Sequence, residues 1–202
     1  MFTKFFKELK RGYEVGKAIK SVAKKRSNQM AAISMLWGCV FNEGLKYNWG
    51  IRFVSKEVMS GDDKNVEVKL NAPNAIFATV PKIDCVLVCL ENLEEATKDL
   101  NDTEWACYVI EGICHEYRHA LQIEYFESVG IDANNALQYL AFSYLYLTSP
   151  IEKDAISFSR TLSIGYHNGC PKIESNWISV SEAMKDVVKE IERNKIFDYK
   201  KA

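Results

Sequence analysis

The 202-residue sequence is poor in the patterns that mark several classes of protein. Its six cysteines include no Cys-x-x-Cys pair, so a zinc knuckle is not expected. In a chain of this size they are predicted to be reduced, mostly buried thiols rather than a disulfide framework. No apolar stretch reaches the roughly 18 residues that a membrane span needs. The formal net charge of −1 gives no electrostatic reason to expect nucleic-acid binding.

The N-terminus also lacks the continuous apolar segment of a signal peptide, because Lys4 and Lys7 interrupt it. A cytoplasmic protein is therefore expected. Residues 1–29 hold nine Lys and Arg against two Glu, with apolar residues every three to four positions, which predicts a basic amphipathic helix. Such a helix either packs on the domain with a solvated lysine face or contacts a membrane surface or an acidic partner.

The residues that are abundant predict one folded domain of the α+β class. A content of 48% hydrophobic and 12% aromatic residues supports a sizeable core, and the length fits a single domain over residues 1–202. The first predicted part, 1–45, consists of N-terminal helices, with the second helix over 29–46. The second part, 46–90, is a small, mostly antiparallel sheet with strands at 47–54, 66–70 and 83–90. The third part, 91–202, holds a motif-bearing helix and C-terminal helices, with a loop at 165–171.

Histidine is scarce, yet two of the three histidines lie in one motif, His115-Glu116-Tyr117-Arg118-His119. The surrounding stretch predicts a helix, which places the two histidines one turn apart on one face with their Cβ atoms about 5–6 Å apart. Two imidazoles at that spacing can bind one Zn²⁺, and Glu116 beside them can take a proton from a metal-bound water. The alternative is an ordinary amphipathic helix that carries two surface histidines.

A third ligand has to come from another element, since Gln122 and Tyr125 stand where the longer His-x-x-x-His-x-x-Gly-x-x-His pattern needs glycine and histidine. Glu152 is the first candidate, because it follows a turn and begins a helix that can fold back over the motif. Ser149 and Glu152 also fit the N-cap and N3 positions of a capping box, which would explain Glu152 without a metal. Asp154 is the alternative ligand, or it hydrogen-bonds the free ring nitrogen of a ligating histidine.

The two segments together resemble a known family. His-Glu-Tyr-Arg-His-Ala-Leu-Gln at 115–122, followed by Pro-Ile-Glu-Lys-Asp-Ala at 150–155, is similar to the small bacterial and phage-type zincin metallopeptidases with a gluzincin-like active site. The resemblance implies a zincin-like domain in which the sheet packs on the motif-bearing helix. It also implies that the two motif histidines and Glu152 bind Zn²⁺ and that Glu116 is the base. The longer Glu-x-x-x-Asp signature of larger gluzincins is absent, because residue 156 is isoleucine.

These observations predict a zinc-dependent peptidase that hydrolyses a peptide or protein substrate with a metal-activated water and Glu116 as general base. A second donor to the oxyanion is needed, and the candidates are Arg118, Tyr144, Tyr146 and His167. One alternative is a zincin-shaped binding or regulatory module without proteolytic activity. Another is a hydrolase of small amides or esters that uses the same site.

Overall fold

The computed structural model describes residues 20–38, 45–61, 70, 72–143, 148–167 and 180–193. In chain order its helices and strands are α1 (Gln29–Leu36), β1 (Gly50–Val54), α2 (Lys56–Ser60), β2 (Phe77–Val80), β3 (Cys85–Cys89), α3 (Leu90–Thr97), α4 (Asp102–Ser128), α5 (Ala133–Ser143), α6 (Pro150–His167) and α7 (Val180–Arg193). The predicted α+β class is confirmed. None of the described helices has the length and apolarity required to cross a bilayer.

The sheet is mixed, with the strand order β1-β3-β2. β1 runs parallel to β3 with Gly50 opposite Cys85, and β2 runs antiparallel to β3 with Phe77 opposite Val88. The expectation of a mostly antiparallel sheet is therefore corrected for the β1–β3 pair. Parallel pairing needs a crossover connection, and the chain between β1 and β3 supplies one by way of α2 and β2. The predicted strand at 66–70 lies outside the described residues except for its last residue, which is not in a strand.

The middle strand β3 is buried along its whole length. Its side chains alternate between two clusters, as the two-residue period of a strand requires. Val86 and Val88 belong to the large hydrophobic cluster that α4 dominates, whereas Leu87 packs with Val58 and Met59 of α2. This burial on both faces explains the nearly continuous apolar sequence of β3.

The long helix α4 has well-defined ends. At its start, the side chain of Asn101 accepts hydrogen bonds from the backbone of Thr103 and Glu104, and the Glu104 carboxylate accepts one from the Asn101 backbone, which completes a capping box. At its end, Gly130 adopts a left-handed conformation with φ +80, and Ile131 N–H donates to the carbonyl of Phe126. These caps hold 27 residues in one helix, which carries both motif histidines.

A second long helix, α6, packs along α4. The two helices and α7 enclose a C-terminal hydrophobic cluster that includes Phe126, Ile151 and Met184. α6 continues through Gly165 to His167, where the sequence predicts a loop. A single glycine costs a helix about 1 kcal/mol relative to alanine, which does not stop a helix stabilised by packing.

The buried carboxylate of Glu124 anchors the chain between α1 and β1. Its Oε2 accepts the backbone N–H of Lys46 at 2.9 Å, and its Oε1 accepts the backbone N–H of Tyr47 at 2.8 Å and the indole N–H of Trp49 at 3.2 Å. The backbone N–H groups of Lys46 and Tyr47 are therefore not available to a helix. That explains why residue 46 is not helical, although the sequence predicts a helix over 29–46.

We expect Glu124→Gln to lower the free energy of unfolding by about 1–3 kcal/mol, because an amide nitrogen would then face N–H donors in a buried site. Urea denaturation followed by circular dichroism measures the change. Glu192→Gln, an exposed substitution on α7, serves as the control and should stay within about 0.5 kcal/mol of the parent protein. Equal stability of both variants would contradict the anchoring role.

Candidate metal centre

Two helices bring three metal-ligating side chains together: His115 and His119 on α4, and Glu152 in the first turn of α6. The two Nε2 atoms of the histidines lie 3.0 Å apart. His115 Nε2 is 3.2 Å from Glu152 Oε2, and His119 Nε2 is 3.4 Å from Glu152 Oε1. These are the three ligands that the sequence predicts, and the structure places them in one group.

The spacing of this triad fits a tetrahedral metal ion. Ligand atoms bound to Zn²⁺ at about 2.0–2.1 Å in tetrahedral geometry are about 3.3 Å from one another. The two Nε2 atoms, 3.0 Å apart, are near that separation. The 3.2 and 3.4 Å contacts are also near it, and they join the two histidines to different oxygens of the Glu152 carboxylate. Oε2 of Glu152 is buried and makes no hydrogen bond within the described part of the chain, as expected of an oxygen that ligates a cation. Two imidazoles and one carboxylate also suit other divalent first-row metals.

Glu152 faces the histidines and is not part of a capping box. The hydroxyl of Ser149 is buried and has no hydrogen-bond partner among the described residues, so the reciprocal contacts of a capping box are missing. The capping-box alternative for Glu152 is therefore not supported.

Asp154 lies further from the motif histidines than the sequence predicts, with Gln122 between it and His119. Its carboxylate accepts hydrogen bonds from Arg118, at 2.6 Å from Nε and 2.8 Å from Nη2, and from Gln122 Nε2 at 2.7 Å. Asp154 is not in the metal-binding group, and the expected contact between Asp154 and a ligating histidine is made by Gln122 instead. Oε1 of Gln122 lies 2.8 Å from Nδ1 of His119.

The predicted oxyanion donors are placed as follows. Arg118 is only 5% exposed, and two of its nitrogens bind Asp154 while its guanidinium lies over the ring of Phe158. Two of the Arg118 nitrogens are therefore engaged in the contact between α4 and α6. Tyr144 and Tyr146 lie outside the described residues, as does the side chain of His167.

The predicted base, Glu116, is buried beside the triad and contacts a residue of the sheet. Its Oε2 lies 2.7 Å from the hydroxyl of Thr79 on β2, and the same hydroxyl is 3.0 Å from the Glu116 carbonyl oxygen. The single hydroxyl proton donates to one of these oxygens at a time. Thr79 was not predicted as a site residue, because the sequence of β2 is not recognisable as that of a strand.

A cleft of about 480 Å³ opens beside His115 and Glu116. It lies between residues 74–77, one face of α4, and the part of α6 that carries Ile156 and Ser159. The ring of Phe77 lies directly against Gly112, where an added Cβ would come within 2.3 Å of the ring. Gly112 therefore allows the sheet to approach α4 closely enough to form this wall.

The charges of the triad favour a cation. Burial lowers the pKa of His119, but the contact with Glu152 and the charges of Glu116 and Glu152 more than reverse this and raise it to about 9. Burial raises the pKa of Glu152, but its contacts with His115 and His119 lower it to about 2. Without a metal, the triad therefore contains a protonated His119 beside the ionised carboxylate of Glu152.

Cys114 precedes His115 but faces the hydrophobic cluster and is fully buried. Burial raises the pKa of its thiol well above the usual range, and the charge of Glu111 adds to this effect. Cys114 is therefore a core residue and an unreactive thiol.

Comparison of the chain with protein-family models, curated proteins and solved structures gives no match. The resemblance to the zincin metallopeptidases accordingly stays a prediction that rests on two short motifs. The geometry of the triad, its base and its cleft is the observation that bears on function.

We expect metal binding to release about one proton per ion near pH 7, because the raised pKa of His119 keeps the metal-free triad protonated there. The same proton stabilises the metal-free fold fully below about pH 6.5, and its contribution is lost as the pH rises through the folded pKa. Titration calorimetry with Zn²⁺ in two buffers of different ionisation enthalpy measures the release. An enthalpy that is the same in both buffers would contradict a protonated triad.

Proposed function

We propose that this protein is a zinc-dependent peptidase whose metal is held by His115, His119 and Glu152 and whose general base is Glu116. The observation that carries the proposal is a cluster of two imidazole nitrogens 3.0 Å apart, each within 3.4 Å of a Glu152 carboxylate oxygen, beside the buried carboxylate of Glu116 and an open cleft. Three protein ligands leave one coordination position for water or substrate, which is the arrangement of catalytic rather than structural zinc sites.

Bound Zn²⁺ supplies Lewis-acid polarisation of the substrate carbonyl and lowers the pKa of a bound water. The protein's own contribution begins with charge. Two neutral imidazoles and one carboxylate carry a total charge of −1, so a divalent ion in the triad keeps a net positive charge. That charge is in a largely buried position, where electrostatic stabilisation of a developing oxyanion is stronger than in water.

Glu116 acts as the proton carrier in this proposal. Its carboxylate accepts a proton from the attacking water and then donates it to the leaving amine. The hydroxyl of Thr79 binds Oε2 at 2.7 Å, which leaves Oε1 to take the proton. Because β2 is part of the sheet, this contact holds the base in place relative to the motif helix.

The position of the cleft supports a peptide as the substrate. Residues 74–77 lead directly into β2, which is an edge strand of the described sheet. An exposed strand edge can pair with an extended peptide through main-chain hydrogen bonds. A peptide bound in this way would pass beside His115 and Glu116, which also line the cleft.

The metal content of the purified protein tests the first half of the proposal. We expect about one zinc per chain by elemental analysis, and almost none in His115→Ala, because one imidazole and one carboxylate are too few protein ligands for a stable site. Glu127→Gln, an exposed change on the same helix, should keep its zinc. A parent protein with no zinc that also fails to take up added Zn²⁺, Mn²⁺ or Co²⁺ would refute the metal site.

Replacement of the base tests the second half. We expect Glu116→Gln to slow hydrolysis of a peptide-library substrate by about 10²–10⁴-fold, because an amide cannot accept the proton of the water. Its zinc content should equal that of the parent protein, since Glu116 is not in the ligand group. Retention of full activity in Glu116→Gln, or loss of activity in Glu127→Gln, would rule out this mechanism.

A further inference from the structure

We infer that Gln122 is a positioning residue for the metal centre: it sets the orientation and tautomer of His119, and Arg118 and Asp154 determine how the Gln122 amide is oriented. The inference rests on the proposed metal site and concerns residues outside the ligand set. Its basis is a chain of buried hydrogen bonds in which every donor and acceptor has a forced direction.

The chain begins at Arg118. A guanidinium only donates hydrogen bonds, and a carboxylate paired with it only accepts them. Arg118 donates to both oxygens of Asp154, at 2.6 and 2.8 Å. The group that lies 2.7 Å from Asp154 Oδ2 must therefore be a donor, and it is the side-chain amide of Gln122.

The second step fixes the amide of Gln122. Its nitrogen Nε2 lies within hydrogen-bond distance of two acceptors, Asp154 Oδ2 at 2.7 Å and the carbonyl oxygen of Ile151 at 3.0 Å. A flipped amide would place its oxygen against both of them in a fully buried position. The orientation with nitrogen towards α6 is the one that leaves no buried acceptor facing another.

The third step reaches the ligand. With Nε2 of Gln122 towards α6, its Oε1 lies 2.8 Å from Nδ1 of His119 and can only accept. Nδ1 of His119 must then carry the proton of the neutral ring. The lone pair is left on Nε2, the atom that lies 3.4 Å from Glu152 Oε1 in the triad. Arg118 thus selects, through two intermediates, the tautomer that can bind a metal.

The same amide also positions Glu152. The two acceptors of Gln122 Nε2 belong to Ile151 and Asp154, which flank Glu152 in the first turn of α6. One side chain therefore binds a ligand of α4 and the backbone next to the ligand of α6. A glutamate at position 122 could not replace it, because its carboxylate would face that of Asp154 at hydrogen-bond distance.

Three variants and one control test this inference. Gln122→Met keeps the length of the side chain but removes both polar ends, and Asp154→Asn keeps the shape of Asp154 but removes its acceptor-only character. Gln122→Glu introduces the carboxylate that should not fit. Glu124→Gln is the matched control, because it alters another buried polar residue of α4 whose hydrogen bonds are made to residues 46–49.

Zinc affinity, measured by competition with a chromophoric chelator, should fall about 10–100-fold in Gln122→Met and in Gln122→Glu. The zinc affinity of Asp154→Asn should fall less, because the asparagine side chain can still accept a hydrogen bond from the Gln122 amide. Glu124→Gln should retain the parent affinity. The chain has three histidines, so ¹⁵N-histidine NMR of the zinc-loaded protein can resolve His119. Its Nδ1 proton should be protected from exchange in the parent protein and exchange rapidly in Gln122→Met.

The possible outcomes are distinct. Parent-like affinity and a protected Nδ1 proton in Gln122→Met would overturn the inference while the metal site stands. A parent protein that binds no zinc would overturn the proposed function, and the inference with it. If Gln122→Met does not fold, as judged by circular dichroism, Asp154→Asn and the NMR spectrum of the parent protein decide. An unprotected Nδ1 proton in that spectrum would overturn the inference.

Discussion

The close contact between α4 and α6 is the constraint on which the site depends. His115 and His119 are local neighbours, but Glu152 reaches them only because α6 packs along α4. Gln122 joins the two helices at this point, since it binds His119 on one and the first turn of the other. Apolar residues of both helices share the C-terminal hydrophobic cluster, and the buried hydrogen bonds cross the same contact.

The sheet imposes a second constraint on α4. Phe77 lies against Gly112, and Thr79 two residues later binds Glu116. Because residues two apart in a strand point to the same face, one short strand forms a wall of the cleft and holds the base. The candidate base is therefore fixed by β2, whereas the candidate ligands are fixed by the contact between the helices. The position of the candidate base and the positions of the candidate ligands therefore depend on different contacts of α4.

The part of the site that depends on local periodicity could be predicted from the sequence. A helical period is enough to place His115 and His119 on one face, and Glu152 follows from the order of turn and helix start. Gln122 lies three residues after His119, on the same face, but only the tertiary contact with α6 reveals its role. Thr79 could not be found, because β2 has four residues and its pairing is non-local. β1 lies within the strand predicted at 47–54, but its parallel pairing with β3 is also non-local and was not predicted.

Cys114 illustrates how one helical step decides the chemistry of a neighbouring residue. It is adjacent to His115 in sequence, but a rotation of about 100° directs its sulfur into the core. The triad consequently offers nitrogen and oxygen atoms, a donor set that favours borderline and hard divalent ions over Cu(I). Centres built on thiolates lose their ligands when peroxide oxidises the sulfur. The triad of two imidazoles and a carboxylate contains no thiolate, so the proposed metal site has no sulfur ligand for peroxide to oxidise.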